Sequence, residues 1–121
     1  MIPFGDYLKA SEEQIKLLEE LQDIIEMLKE LPSDDGIDNR IIEILTRLRE
    51  LRRSLREMNE GEGEDFELLR KYYRLVGIED EKEILEELLK MSLKGRVNVP
   101  QEMILEEIND LKQFRETLFG D

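Results

Sequence analysis

The run from Ile41 to Met58 constrains the fold more than any other part of the chain. Ile41, Ile44, Leu48, Leu51, Leu55 and Met58 alternate spacings of three and four residues, the seam of a helix packed along another helix. The preceding stretch supplies the partner. Leu17, Leu18, Leu21, Ile24, Ile25, Leu28 and Leu31 form two overlapping stripes that share Leu21 and Leu28, and a face that wide meets two neighbours rather than one. Between the two runs stands PSDDG (32–36), where Pro32 and Gly36 break a helix. So short a connector predicts an antiparallel hairpin.

The remaining segments follow the same logic. Residues 1–10 read as an extended lead-in, with Phe4 and Tyr7 free to dock. Helices are predicted over 11–31, 38–59, 65–76, 80–94 and 100–119. SEEQ (11–14) has the form of a capping box, Ser11 accepting from the Gln14 amide. Asp38 is the expected N-cap of the second helix. Phe66, Leu69, Tyr73 and Val76 share a face of the third, which Gly77 ends. Asp80 and Glu83 open the fourth, whose Ile84, Leu85, Leu88 and Leu89 face inward until Gly95. Pro100 sits at the first turn of the fifth, which carries Ile104, Leu105, Ile108, Leu111 and Leu118. No repeat or long linker divides the chain. The expectation is one domain over 1–121, all-α, a four- to five-helix bundle built on an antiparallel coiled-coil-like hairpin.

Composition narrows the chemistry. The chain has no cysteine and no histidine, which excludes disulfides, thiolate metal sites, imidazole bases and Ser-His-Asp arrangements. No cofactor is expected. No apolar run approaches the roughly 20 residues of a membrane helix, and MIPFGDYLKA lacks the basic and apolar regions of a signal peptide. A cytoplasmic address and no membrane partner are therefore expected. The abundance of Glu, Arg and Lys beside scarce Asn and Gln matches thermostable proteins. The net charge of -13 opposes nucleic-acid binding, which needs a positive field. GEGED (61–65) places acids where a phosphate loop needs none, so a small anionic ligand is not expected there.

Against that acidic background, RLRELRRSLRE (47–57) holds five arginines. Arg40, Arg47 and Arg52 flank the seam and are expected to pair with first-helix glutamates, setting the hairpin's register. Arg49, Arg53 and Arg56 point away from it. Arg49 and Arg53 repel at i,i+4, as do Arg53 and Arg56 at i,i+3, each pair costing roughly 0.2–0.5 kcal/mol on an isolated helix. Something acidic is expected over this face: Glu83, Glu86 and Glu87 of the fourth helix, or another molecule. Tyr72, with Lys71 and Arg74, makes a second candidate contact patch.

Paired carboxylates offer an enzymatic alternative. Glu83 and Glu86 are i,i+3, as are Glu107 and Asp110, and two such pairs on facing helices are a hard-metal arrangement. The spacing, with EEINDL (106–111), resembles the ExxE…ExxD signature of all-α nucleotide pyrophosphohydrolases of the MazG type. That resemblance implies Mg²⁺ on Glu83, Glu86, Glu107 and Asp110 and a metal-bound water attacking a nucleoside triphosphate. The core register places Lys90 where an acid is wanted. LLKMSLKGRVNVPQEMILEEINDLKQF (88–114) is similar to the end of the helical domain of archaeal GINS replication subunits, which implies a non-catalytic assembly surface. TLFGD (117–121) resembles part of a sliding-clamp-binding peptide, with Arg115 where glutamine is expected.

The functional expectation is a non-enzymatic helical interaction or scaffold domain. It self-associates or docks a protein partner through helical faces, with Arg49, Arg53, Arg56 and Tyr72 as contact residues. A designed bundle without biological function shares this composition. The single alanine, Ala10, and the irregular NVPQEM (98–103) argue for a natural chain.

Overall fold

The computed structural model describes residues 4–58, 67, 70, 71 and 81–119. They form an all-α bundle. Helix α1 is Phe4–Leu28, α2 is Asp35–Met58, α3 is Glu81–Leu93 and α4 is Gln101–Phe119. The third predicted helix falls mostly on residues outside the described set, as does Asp80. Helices α3 and α4 correspond to the fourth and fifth predicted ones.

Two antiparallel hairpins, α1–α2 and α3–α4, stack on each other. Salt bridges fix the first one's direction: Arg40 holds Glu20 at 2.5 and 2.7 Å, and Arg47 holds Glu13 at 2.5 and 2.8 Å. Both are two-point guanidinium–carboxylate contacts, the geometry that specifies register. Between hairpins, α1 lies on α3 and α2 lies on α4, each pair running the same way. The core fills the space among all four: Leu21, Leu28, Ile41, Ile44, Leu48, Leu55, Leu85, Leu88, Ile104, Leu111 and Phe114 are closed to solvent. The wide face of α1 is therefore used within the chain, by α2 and α3.

Four local expectations are corrected. The expected lead-in is helical rather than extended over 4–10, because α1 runs from Phe4, and 1–3 lie outside the described residues. SEEQ is not a cap: Ser11 and Gln14 are buried mid-helix. A spacing of three puts two residues on one helix face as readily as at a helix start. Gln14 Nε2 instead donates across the bundle to Glu81 Oε2 at 3.0 Å.

The N-cap of α2 is Asp34 rather than Asp38. Asp34 Oδ1 accepts from the Ile37 amide at 2.8 Å, and its carbonyl accepts from the Asp38 amide at 2.9 Å. Asp38 is buried and binds the far loop. Its Oδ1 accepts from Ser33 Oγ at 2.7 Å and from the Asn98 amide at 3.2 Å.

On α4 the inward set is Ile104, Leu111 and Phe114. Leu105, expected in the core, is 45% exposed, because Glu107 rather than Ile108 occupies the core-facing turn between Ile104 and Leu111. Helix α3 ends as expected at Gly95, whose φ of 71° is the left-handed conformation of a helix stop. The Arg96 amide reaches back to the Met91 carbonyl at 2.9 Å and Gly95 to Ser92 at 3.1 Å. The Arg96 guanidinium then donates to the Leu28 carbonyl, closing the end of α1.

Candidate functional site

The site grows from seam positions that carry polar residues. On α1, the three–four alternation of Leu18, Leu21, Ile25 and Leu28 continues backwards onto Gln14 and Ser11. On α3, Leu88 and Leu85 lead back to Glu81; on α4, Ile104 and Leu111 bracket Glu107; on α2, Arg52 lies seven residues beyond buried Leu45. All five polar residues are buried. Four of them converge into one charged layer between the hairpins.

Arg52 is its centre. Its side chain is fully closed to solvent. Nη1 donates to Glu81 Oε1 at 2.6 Å, Nε to Asp110 Oδ2 at 2.9 Å, and Nη2 to Glu107 Oε2. Arg52 thus faces α3 and α4, not the first-helix glutamates to which the sequence assigned it. Its place on the Leu45 side of α2 points it away from α1.

The acidic cover over the arginine face is α4. Arg49 Nε stands 2.6 Å from Glu107 Oε1, and its Nη1 stands 3.6 Å from Glu106 Oε2. Arg56 Nη2 is 3.5 Å from Asp110 Oδ1, and the guanidinium lies 6.0 Å from the Phe114 ring centre, within cation–π range. Arg53 is exposed and has no ion pair among the described residues. Tyr72 lies outside them.

Burial dominates the electrostatics. It pushes the Glu81 carboxyl up to about 7, against the opposing pull of Arg52 and the Gln14 amide. Glu107 is raised for the same reason, with Arg52 and Arg49 opposing. On the surface the order reverses: hydrogen bonds from Arg47 and Arg40 hold Glu13 and Glu20 below the usual carboxylate range.

The four candidate metal carboxylates do not come together. Glu107 and Asp110 close on Arg52, so a guanidinium occupies the place between them. Glu83 and Glu86 are exposed on α3. Glu86 sits 3.7 Å from Lys82, and Glu83 borders a shallow acidic groove with Glu26 and Glu87. Among the described residues no cluster of acids is placed to hold a metal ion.

Compared with protein-family models, curated proteins and solved structures, the chain matches none. Its chemistry is therefore read from its own surface. Among the described residues, no helix is long and apolar enough to cross a membrane. One groove of about 530 Å³ is floored by Ile108 and Leu111. Lys82 borders it from α3, and Lys112 and Arg115 border it from α4. Lys112 and Arg115 have no ion pair among the described residues, unlike the arginines paired along α2. The apolar pattern of α4 marked Ile108 and Leu111, but nothing in it placed Lys82 across from them.

Proposed function

We propose that the chain is a non-enzymatic helical docking domain that receives a polypeptide segment in the groove on α4. The observation that carries this reading is the cationic rim of Lys112 and Arg115, which have no ion pair among the described residues, around an apolar floor. The charges of the α2–α4 contact meet partners on the facing helix, whereas Lys112 and Arg115 of the groove meet none among the described residues. Grooves of this volume admit apolar side chains of a ligand while polar groups at the edge orient it. Self-association through the broad face of α1, the other form of this reading, is less favoured, since Leu17, Leu18, Leu21, Ile25 and Leu28 of that face are buried within the chain, leaving Ile24 half-buried and Leu31 exposed.

The enzymatic alternative needs Glu83 and Glu86 to face Glu107 and Asp110. Nothing in the positions of these residues favours it.

A set of short amphipathic helical peptides titrated against the ¹⁵N-labelled chain tests the docking reading. Shifts gathering on Ile108, Asn109, Lys112 and Arg115 support it. No perturbation at millimolar peptide, or shifts gathering elsewhere, overturns it.

A further inference from the structure

Resting on that docking reading, we infer that the α4 groove selects an amphipathic helix whose apolar stripe is flanked by Asp or Glu, carried on a segment of low net charge, and rejects a second copy of this chain. Charge complementarity fixes the partner's chemistry. Ile108 and Lys112 are i,i+4, as are Leu111 and Arg115, so apolar floor and cation share one strip of α4. Lys82 adds positive charge from the opposite wall, where its one ion pair among the described residues is a 3.7 Å contact to Glu86. Glu116 is the one acid among the described lining residues. A docked helix with acids beside its apolar stripe places carboxylates against both walls.

The same charges exclude the two self-assembled alternatives. A two-fold dimer sets a patch against its own copy, which would oppose Lys82, Lys112 and Arg115 to themselves. A head-to-tail contact brings together two chains of charge -13, whose fields repel. That field also opposes a strongly acidic partner. The acids must therefore be few and local, acting within the Debye length of about 8 Å at physiological salt.

Three helical peptides sharing one apolar stripe, with Glu, Gln or Lys flanks, test the inference by fluorescence anisotropy. They are titrated against the full chain and against a Lys112→Glu/Arg115→Glu variant, whose fold is checked by circular dichroism. Lys112 is exposed, Arg115 is half-buried, and neither has an ion pair among the described residues, so the fold should hold. The Glu-flanked peptide should bind the native chain about tenfold tighter than the Lys-flanked one, a difference of about 1.4 kcal/mol. The order should reverse on the variant. Equal affinity for all three, or an order unchanged on the variant, overturns the inference while leaving docking itself intact. No binding by any peptide overturns both. Sedimentation showing a dimer that Ile108→Asp dissolves would make a second copy the occupant and overturn the partner assignment.

Discussion

Arg52 Nη1 lies 2.6 Å from Glu81 Oε1, and neither side chain is reached by solvent. The pair joins the two hairpins, since Arg52 belongs to α2 and Glu81 opens α3. Removing water from both charges costs several kcal/mol per ion, and the attraction between them restores that only if every lone pair is matched. Here Gln14, Glu107 and Asp110 supply the remaining matches. The layer is thus a geometric requirement on how the hairpins stack more than a source of net stability.

Breaking it from one side should therefore be costly. Arg52→Met leaves Glu81 and Glu107 buried without their shared cation and should destabilise the fold by about 3–5 kcal/mol, read from urea unfolding. The triple change Arg52→Met/Glu81→Gln/Glu107→Leu removes the charges together and keeps an acceptor for Gln14. It should fall within about 1 kcal/mol of the native chain, or exceed it. A single variant as stable as the native chain would show that the layer carries no coupled charges.

The pH dependence follows from the direction of each shift. Glu81 is raised in the folded state to about 7 from an ordinary value of 4.5. Between these values the folded chain holds a proton that the unfolded chain has released, so stability falls as pH rises through that window. The loss from Glu81 is about 3 kcal/mol at most, by the linkage of pKa to free energy, and Glu107 acts in the same direction. Glu13 and Glu20 are lowered, so their contribution is present above 4.5 and fades as pH falls through their folded values. Thermal melts should give a maximum near pH 5, set by these opposing carboxylates. Glu81→Gln should flatten the decline between pH 5 and 7. A profile unchanged by that substitution would remove Glu81 as its cause.

The helical class, the first hairpin and the stop at Gly95 were legible because each rests on local pattern: an eighteen-residue seam (41–58), a short breaker and a glycine able to take positive φ. Arg40 and Arg47 were legible for the same reason, being beside the seam opposite an acidic helix. The charged layer was not, because polar residues interrupt an apolar count. Extending the alternation through its gaps would have found it: from Leu18 to Gln14 and Ser11, from Leu85 to Glu81, and across Glu107 from Ile104 to Leu111. The stacking of the hairpins depends on contacts between residues up to 68 apart, such as Gln14 with Glu81 and Arg96 with Leu28, and helical periodicity carries no such information. Whether Glu83 or Glu106 would meet the arginines could not be read from spacing, since both have the right neighbours on their own helices.

The surface pairs of the first hairpin should behave differently from the buried layer. Arg40 and Arg47 are about half exposed, as are Glu20 and Glu13. Solvent and salt screen such pairs, so Arg40→Ala or Arg47→Ala should cost about 0–1 kcal/mol each. The cost should shrink between 0.05 and 0.5 M NaCl, as the Debye length contracts, whereas the Arg52→Met penalty should not. Matching salt dependence for surface and buried variants would contradict the burial of Arg52.

At the other end of the bundle, Asp38 and Gly95 fix the loop that turns α3 into α4. Asp38 accepts from both Ser33 and the Asn98 amide. Asp38→Ala would leave the Asn98 donor without its acceptor and should cost about 1–3 kcal/mol. Gly95 has open space where a side chain would begin, so a substitution there meets only backbone strain at φ 71°. Gly95→Ala should cost about 1–2 kcal/mol, the penalty of the left-handed conformation for an L-residue, and Gly95→Asn less. Chemical denaturation of the three variants checks both. Alanine at 95 tolerated as well as asparagine would mean that the turn relaxes to negative φ. In that event the Arg96 amide would lose its bond to Met91 and with it the stop of α3.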